Sequence, residues 1–400
     1  MPAYSIFFAD TGSHYTTDRT KWFIKGTAPT NLTAPSGPHG ERALIWLAPG
    51  HAVGQPLGSL VEVTGGIWAK VGDGATWPDR GLYLITVSSG LTDDSLISLV
   101  LGPSGTLEVW LDPDGVGTKI NYTVPPVLTN GGDHRIEFRV TESSFSGGGS
   151  IVNPDGTYAV YGDGQQVMTG IGLIIGEPNT DWSRIYLGPY VTNGSGANTR
   201  LLINETYMLG DDLTNPPTPI TVPHFRTWRV ERLDTTGAGH YTEWTAGGGG
   251  ANYLQVDDAA EPDGDTSYVV TSTVNARDTY AMSDLAATTG HVRLVQQIGS
   301  SKRPAALSVG PTALLRSGTS DATGSFYGTT TTYRYGRTAY NLSPFTGLEW
   351  TFSEVNGLEA GVKATSAGSP PDFARLTQLL LEVVVTDEIN PARSRAQIIG

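Results

Sequence analysis

Along most of the chain, apolar and polar positions alternate with a period of two over short stretches bounded by turn residues. That is the pattern of half-buried strands. Residues 106–111 alternate cleanly, with Leu107, Val109 and Leu111 on one face. They lie between the turns Gly102-Pro103-Ser104-Gly105 and Asp112-Pro113-Asp114-Gly115, a strand–turn signature. Residues 134–140 place Ile136, Phe138 and Val140 inward and Arg135, Glu137 and Arg139 outward. Antiparallel sheets allow this, with one face on a core and the other in water. Further strands are expected at 42–47, 81–87, 95–101, 158–161 and 182–188. In the second half they are expected at 227–233, 253–256, 268–270, 292–296, 329–337 and 376–385. The last run is apolar on nearly both faces and predicts a central strand.

One segment departs from the period of two. Phe352, Val355, Leu358 and Val362 are spaced as on a helix face, and Thr351 and Glu354 have capping-box spacing. Trp350 and Val355 sit where a hydrophobic staple would form, and Gly361 could stop the helix. A short helix is therefore expected near 352–360.

At 400 residues the chain exceeds a typical single core. Residues 211–223 carry Pro216, Pro217, Pro219 and Pro223, which make a stiff linker unable to donate to a sheet. The expected organisation is all-β: two antiparallel β-sandwich (jelly-roll) domains at 1–210 and 224–400, with one short helix in the second.

Composition narrows the function classes. Charged residues are only 16% of the chain, and the net charge is -14. Such a surface repels phosphate backbones, and the basic clusters at 300–303 and 393–395 are short, so no nucleic-acid partner is expected. No apolar run approaches about 18 residues, so membrane insertion is not expected. The first ten residues do not read as a signal peptide. With no cysteine, there is no disulfide framework and no thiolate chemistry.

Catalytic patterns are sparse. A sandwich glycosidase would present paired carboxylates on one strand face, and no such E-x-D-x-E spacing occurs. The seven histidines form no H-x-H or H-x-x-x-H pair. Gly247-Gly248-Gly249-Gly250 lacks a following Lys-Ser/Thr and reads as a flexible loop, not a phosphate cradle. Asp257, Asp258, Asp263 and Asp265 form a candidate calcium site, since hard cations take several loop oxygens. The competing reading is that these aspartates cap turns through their own backbone. Trp68, Trp77, Trp182, Trp228 and Trp244 are candidate glycan contacts, because aromatic faces stack on sugar rings. Core packing is the competing reading there.

Two resemblances follow. Residues 105–110, 134–138, Tyr161-Gly162-Asp163-Gly164 with Val167, and 182–188 make the first half similar to a concanavalin A-like or laminin G-like jelly roll. In the second half, Trp350-Thr351, residues 356–363 and residues 263–269 resemble tailed-bacteriophage tail and virion-surface proteins. That second resemblance implies a non-enzymatic virion structural protein: a tail, fibre, baseplate or capsid-decorating component. It would assemble with other virion proteins and with itself, as a homo-oligomer for which a trimer is the analogy, with a host-surface glycan as a further partner. The alternative is a carbohydrate-binding, lectin-like module, marked by an exposed aromatic row or a calcium site. A glycan hydrolase is the third class.

Overall fold

The computed structural model describes residues 4–10, 23–25, 30–31, 44–46, 52–56, 62–71, 82–89, 95–102, 105–111, 118–124, 126, 128–129, 132–146, 151–175, 182–187, 201–211, 228–258, 262–302, 311–326, 331–364 and 374–386. The chain divides into two compact units, Met1–His224 and Phe225–Gly400. Most of the 211–223 linker lies outside the described residues.

The first unit contains β1 (Tyr4–Asp10), β2 (Phe23–Lys25), β3 (Thr30–Asn31), β4 (Leu44–Trp46), β5 (Ala52–Pro56), β6 (Glu62–Val71), β7 (Leu82–Ser89), β8 (Ser95–Leu101) and β9 (Leu107–Leu111). They are followed by β10 (Thr118–Tyr122), β11 (Asp133–Thr141), β12 (Phe145–Ser146), β13 (Ile151–Val152), β14 (Gly156–Gly162), β15 (Gln165–Leu173), β16 (Trp182–Leu187) and β17 (Leu201–Asp211). Among the described residues an eight-stranded sheet runs β15-β14-β11-β6-β17-β4-β3, with β1 also on β17. A seven-stranded sheet runs β10-β9-β8-β7-β16-β5-β2, and every pairing in both sheets is antiparallel.

Alternation explains why two layers form. Val63, Ile67 and Ala69 of β6 stand opposite Val140, Ile136 and His134 of β11 in register, and all are buried. Phe138 and Tyr158 add the large rings, with centroids 6.4 Å apart. The hydroxyl of Tyr158 accepts a hydrogen bond from Asn121 Nδ2 at 2.8 Å, linking β14 to β10 of the other sheet. The first unit is therefore an antiparallel β-sandwich of the kind expected from a concanavalin A-like jelly roll.

The second unit contains β18 (Trp228–Thr242), β19 (Thr245–Ala246), β20 (Val269–Thr271), β21 (Arg277–Met282), β22 (His291–Lys302), β23 (Pro311–Ser317), β24 (Ser320–Phe326), β25 (Arg334–Tyr340), α1 (Phe352–Asn356), β26 (Leu358–Ala364) and β27 (Ala374–Thr386). Strand β18 serves two ladders: 228–234 pair with β27, and 235–242 pair with β21 through irregular register at Gly237. A strand that changes sheet at a bend makes the corner of a sandwich. Between the layers lie Leu233, Trp244, Tyr280, Val295, Leu315, Val355 and Leu381. Strand β27 has neighbours along both edges, and Leu380 and Val384 on its other face are also fully buried, which accounts for its unbroken apolar run.

Two local expectations are corrected. The helix near 352–360 is shorter than its spacing suggests. The Thr351 hydroxyl does accept from the Glu354 N–H at 3.1 Å, and the Glu354 carboxylate takes the Ser343 hydroxyl. Beyond Gly357, however, Leu358, Ala360, Val362 and Ala364 are all buried at strand spacing in β26. Gly361 is a strand residue and not a helix stop. A Cβ there would lie 1.9 Å from the Asp278 carbonyl oxygen. The expected strand at 253–256 is a 3-10 turn, Asn252–Gln255. Gln255 Oε1 accepts from the Gly248 N–H at 3.0 Å, and its Nε2 donates to the Gly249 carbonyl at 2.7 Å. The glycine run thus wraps a buried amide.

Candidate functional site

Strand β11 has a second face. In register, Arg135 stands opposite Trp68, Glu137 opposite Gly66, and Glu137 again opposite Tyr161 of β14. Since the intervening positions point into the core, Trp68, Arg135, Glu137, Arg139 and Tyr161 share the sheet face turned away from it. Gln166 of β15 extends the row, with the Tyr161 hydroxyl 3.4 Å from its Oε1. Trp68 is 2% exposed and Glu137 3% exposed on this outer face, while Arg135, Arg139 and Tyr161 are partly exposed. Burial pushes the Tyr161 phenol above its usual range; the Arg139 charge opposes that rise and the Glu137 charge adds to it.

The end of this face is held by a buried histidine. His134 Nε2 accepts the Thr129 N–H at 2.9 Å, so Nδ1 carries the proton and donates to Asp163 Oδ2 at 2.9 Å. Asp163 Oδ1 accepts the Arg135 N–H at 2.9 Å. Asp163 has φ +48°, the left-handed conformation of a tight hairpin turn, which Asp tolerates better than most residues. Burial opposes its ionisation, but the His134 and Arg135 hydrogen bonds prevail and lower its carboxyl below the usual value. His134 is thus a positioning residue for the turn beside Arg135.

Of the candidate calcium ligands, Asp258, Asp263 and Asp265 each accept hydrogen bonds from the protein. Asp258 Oδ2 accepts the Asp263 N–H at 2.8 Å, and Asp263 Oδ1 accepts from the Ser267 N–H at 3.0 Å and hydroxyl at 2.8 Å. Asp265 bonds Lys302 Nζ at 2.5 Å, Arg375 Nη1 at 2.7 Å and the Tyr333 hydroxyl at 3.0 Å. Burial resists, yet these three donors hold its carboxyl at about 2. Burial and the nearby Asp263 and Asp257 push Asp258 up to about 6. Among the described residues no three His, Asp or Glu side chains are grouped to hold one ion. Asp258, Asp263 and Asp265 of the expected calcium set are thus hydrogen-bonded within the protein.

Of the five candidate glycan tryptophans, two are described with their side chains, and both are buried. Trp68 and Trp244 are 2% and 4% exposed, and Trp244 Nε1 donates to the Ala276 carbonyl at 3.1 Å inside the core. Trp77 and the side chains of Trp182 and Trp228 lie outside the described residues. Instead the structure brings forward the arginine row, which the alternation of 134–140 had placed outward, although no catalytic spacing singled it out.

No family model and no curated protein matches the chain. Among solved structures, an alginate lyase from a Chlorella virus is similar at TM-score 0.43 and 13% identity, over 52% of this chain and 100% of that one. An endo-β-1,4-glucuronan lyase from the fungus Trichoderma reesei gives TM-score 0.36 and 12% identity, over 52% of this chain and 97% of that one. An alginate lyase from Aplysia kurodai gives TM-score 0.40 and 11% identity, over 52% and 99%. None of the three is a tail, fibre or capsid protein; each is named as a polysaccharide lyase. The expectations of a bacteriophage virion structural role and of a non-enzymatic protein find no support among these similar structures and are withdrawn. The two units themselves define the class as an antiparallel β-sandwich protein.

Proposed function

We propose that the first unit is a carbohydrate-binding sandwich whose eight-stranded sheet takes an anionic, uronate-bearing glycan on its outer face. The observation that carries this is the pair of partly exposed arginines on β11, Arg135 and Arg139, with the partly exposed Tyr161 beside them on β14. Arginine presents a planar fork that matches a carboxylate, and it is more weakly hydrated than lysine. Glu137 is buried between the two guanidiniums, and Gly66 opposite it adds no side chain to the face. The chain is strongly acidic overall, so the two guanidiniums are a local feature that selects an anion against the general field.

The neighbourhood of Arg139 and Tyr161 favours a second reading, cleavage of the same glycan. A guanidinium on the uronate carboxylate acidifies C5. The Tyr161 side chain takes that proton in its ionised form, which the Arg139 charge favours and burial opposes, and returns it to the departing C4 oxygen as the C4–O bond breaks and a C4=C5 double bond forms. Affinity electrophoresis of the full chain in gels containing alginate, polygalacturonate or neutral polymers tests binding. The ultraviolet absorbance of an unsaturated product tests cleavage. Retardation by a uronate polymer that Arg139→Ala weakens supports the proposal, and no retardation by any uronate polymer overturns it.

A further inference from the structure

The other sheet of the first unit carries a second feature on its own outer face. In β9, Leu107 and Val109 are fully buried in the core, so Glu108 and Trp110 face away from it. Strand β10 pairs with β9 through a bulge at Ile120: Lys119 stands opposite Trp110, Asn121 opposite Val109 and Tyr122 opposite Glu108. In a regular strand, positions three apart face opposite sides. The extra residue re-phases the strand and brings Lys119 and Tyr122 to the same face. Asn121 meanwhile keeps its inward bond to Tyr158.

The four side chains form a compact unit. Glu108 is 7% exposed, and it accepts from Trp110 Nε1 at 2.9 Å and from Lys119 Nζ at 3.2 Å. The Lys119 ammonium lies 6.0 Å from the Trp110 ring centroid and 5.1 Å from that of Tyr122. Tyr122 is 53% exposed and Trp110 partly exposed. A side chain at Gly102 would come within 2.7 Å of Glu108 Oε1, so this glycine keeps the carboxylate in place.

We infer that Trp110, Tyr122, Lys119 and Glu108 form a second glycan site, which takes a neutral pyranose ring on the two aromatic side chains. The charges point to that class. Lys119 and Glu108 neutralise one another, so the patch selects neither an anion nor a cation. Together they still offer donors and acceptors, which suits a ring with an apolar face and hydroxyls at its rim. This site is separate from the arginine row in sheet, in charge and in ligand class, so either can fail without the other.

The test is affinity electrophoresis of the full chain in hydroxyethyl cellulose, xylan and galactomannan, repeated with Tyr122→Ala and with Glu108→Gln. Tyr122 is exposed, so its replacement is expected to leave the thermal melting point unchanged. The expected result is retardation by at least one neutral polymer that Tyr122→Ala weakens by about tenfold, the loss of one aromatic stacking contact. Glu108→Gln, which frees Lys119, should shift the preference towards anionic polymers. No retardation in any neutral gel, or wild-type retardation of both variants, overturns the inference. So does a dimer in light scattering that Tyr122→Ala dissolves, since the patch would then be a contact between copies.

Discussion

The carboxyl of Asp278 accepts the Tyr280 hydroxyl at 2.7 Å inside the core of the second unit, where Asp278 is 0% and Tyr280 1% exposed. The same oxygen, Oδ2, accepts Asn252 Nδ2 at 2.8 Å, and the other oxygen has no hydrogen-bond partner. Burial pushes this carboxyl up to about 7, against both hydrogen bonds and with the help of the Glu243 charge.

A pH dependence follows. The folded chain holds the Asp278 proton more tightly than the unfolded chain does, so this group's stabilisation is complete below about pH 4. It is lost as pH rises through about 7, by an amount on the order of a few kcal/mol. Thermal melting between pH 4 and 8 should show the decline, and Asp278→Asn should flatten it. A decline of equal slope in the variant contradicts this role.

Gly361→Ala should be severely destabilising, by about 3 kcal/mol or more, because the new methyl meets backbone and not a movable side chain. Gly318→Ala has open space but sits at φ +57°, so it should cost only about 1 kcal/mol. Chemical denaturation of the two variants compares them directly.

At the β14–β15 turn, Asp163→Ala removes the acceptors of both His134 and the Arg135 N–H. The expected loss is about 1–2 kcal/mol, with weaker uronate binding because the end of the arginine row loosens. Asp163→Asn keeps the turn conformation and one acceptor, and should recover most of the stability. Equal effects of the two substitutions would count against a positioning role.

Much of this architecture is legible in the alternation. Residues 106–111, 134–140 and 376–385 read as strands because burial on one face or on both writes directly into the residue pattern. The 352–362 stretch misled because Leu358 and Val362 satisfy helical and strand spacing at once. The choice falls to the ladders on both sides of β26, which are long-range. The aspartates of 257–265 were ambiguous for a related reason: turn chemistry and calcium chemistry draw on the same residue type, and the donors that Asp265 takes, Lys302, Arg375 and Tyr333, are distant in sequence. Trp68 was legible as a candidate contact, but its burial was not, because a period of two places it outward. The Trp110–Tyr122 pairing depends on a bulge that no local signal announces.

The central claim is that the guanidiniums of β11 recognise a uronate carboxylate. Calorimetric titration of alginate and polygalacturonate oligosaccharides into the full chain, Arg139→Ala and Arg139→Lys tests it most directly. The account predicts binding by the wild-type chain that weakens about tenfold or more in Arg139→Ala and is only partly restored by lysine, since an ammonium lacks the two-pronged fit. Undiminished affinity in Arg139→Ala, or no uronate binding by the wild-type chain, contradicts it.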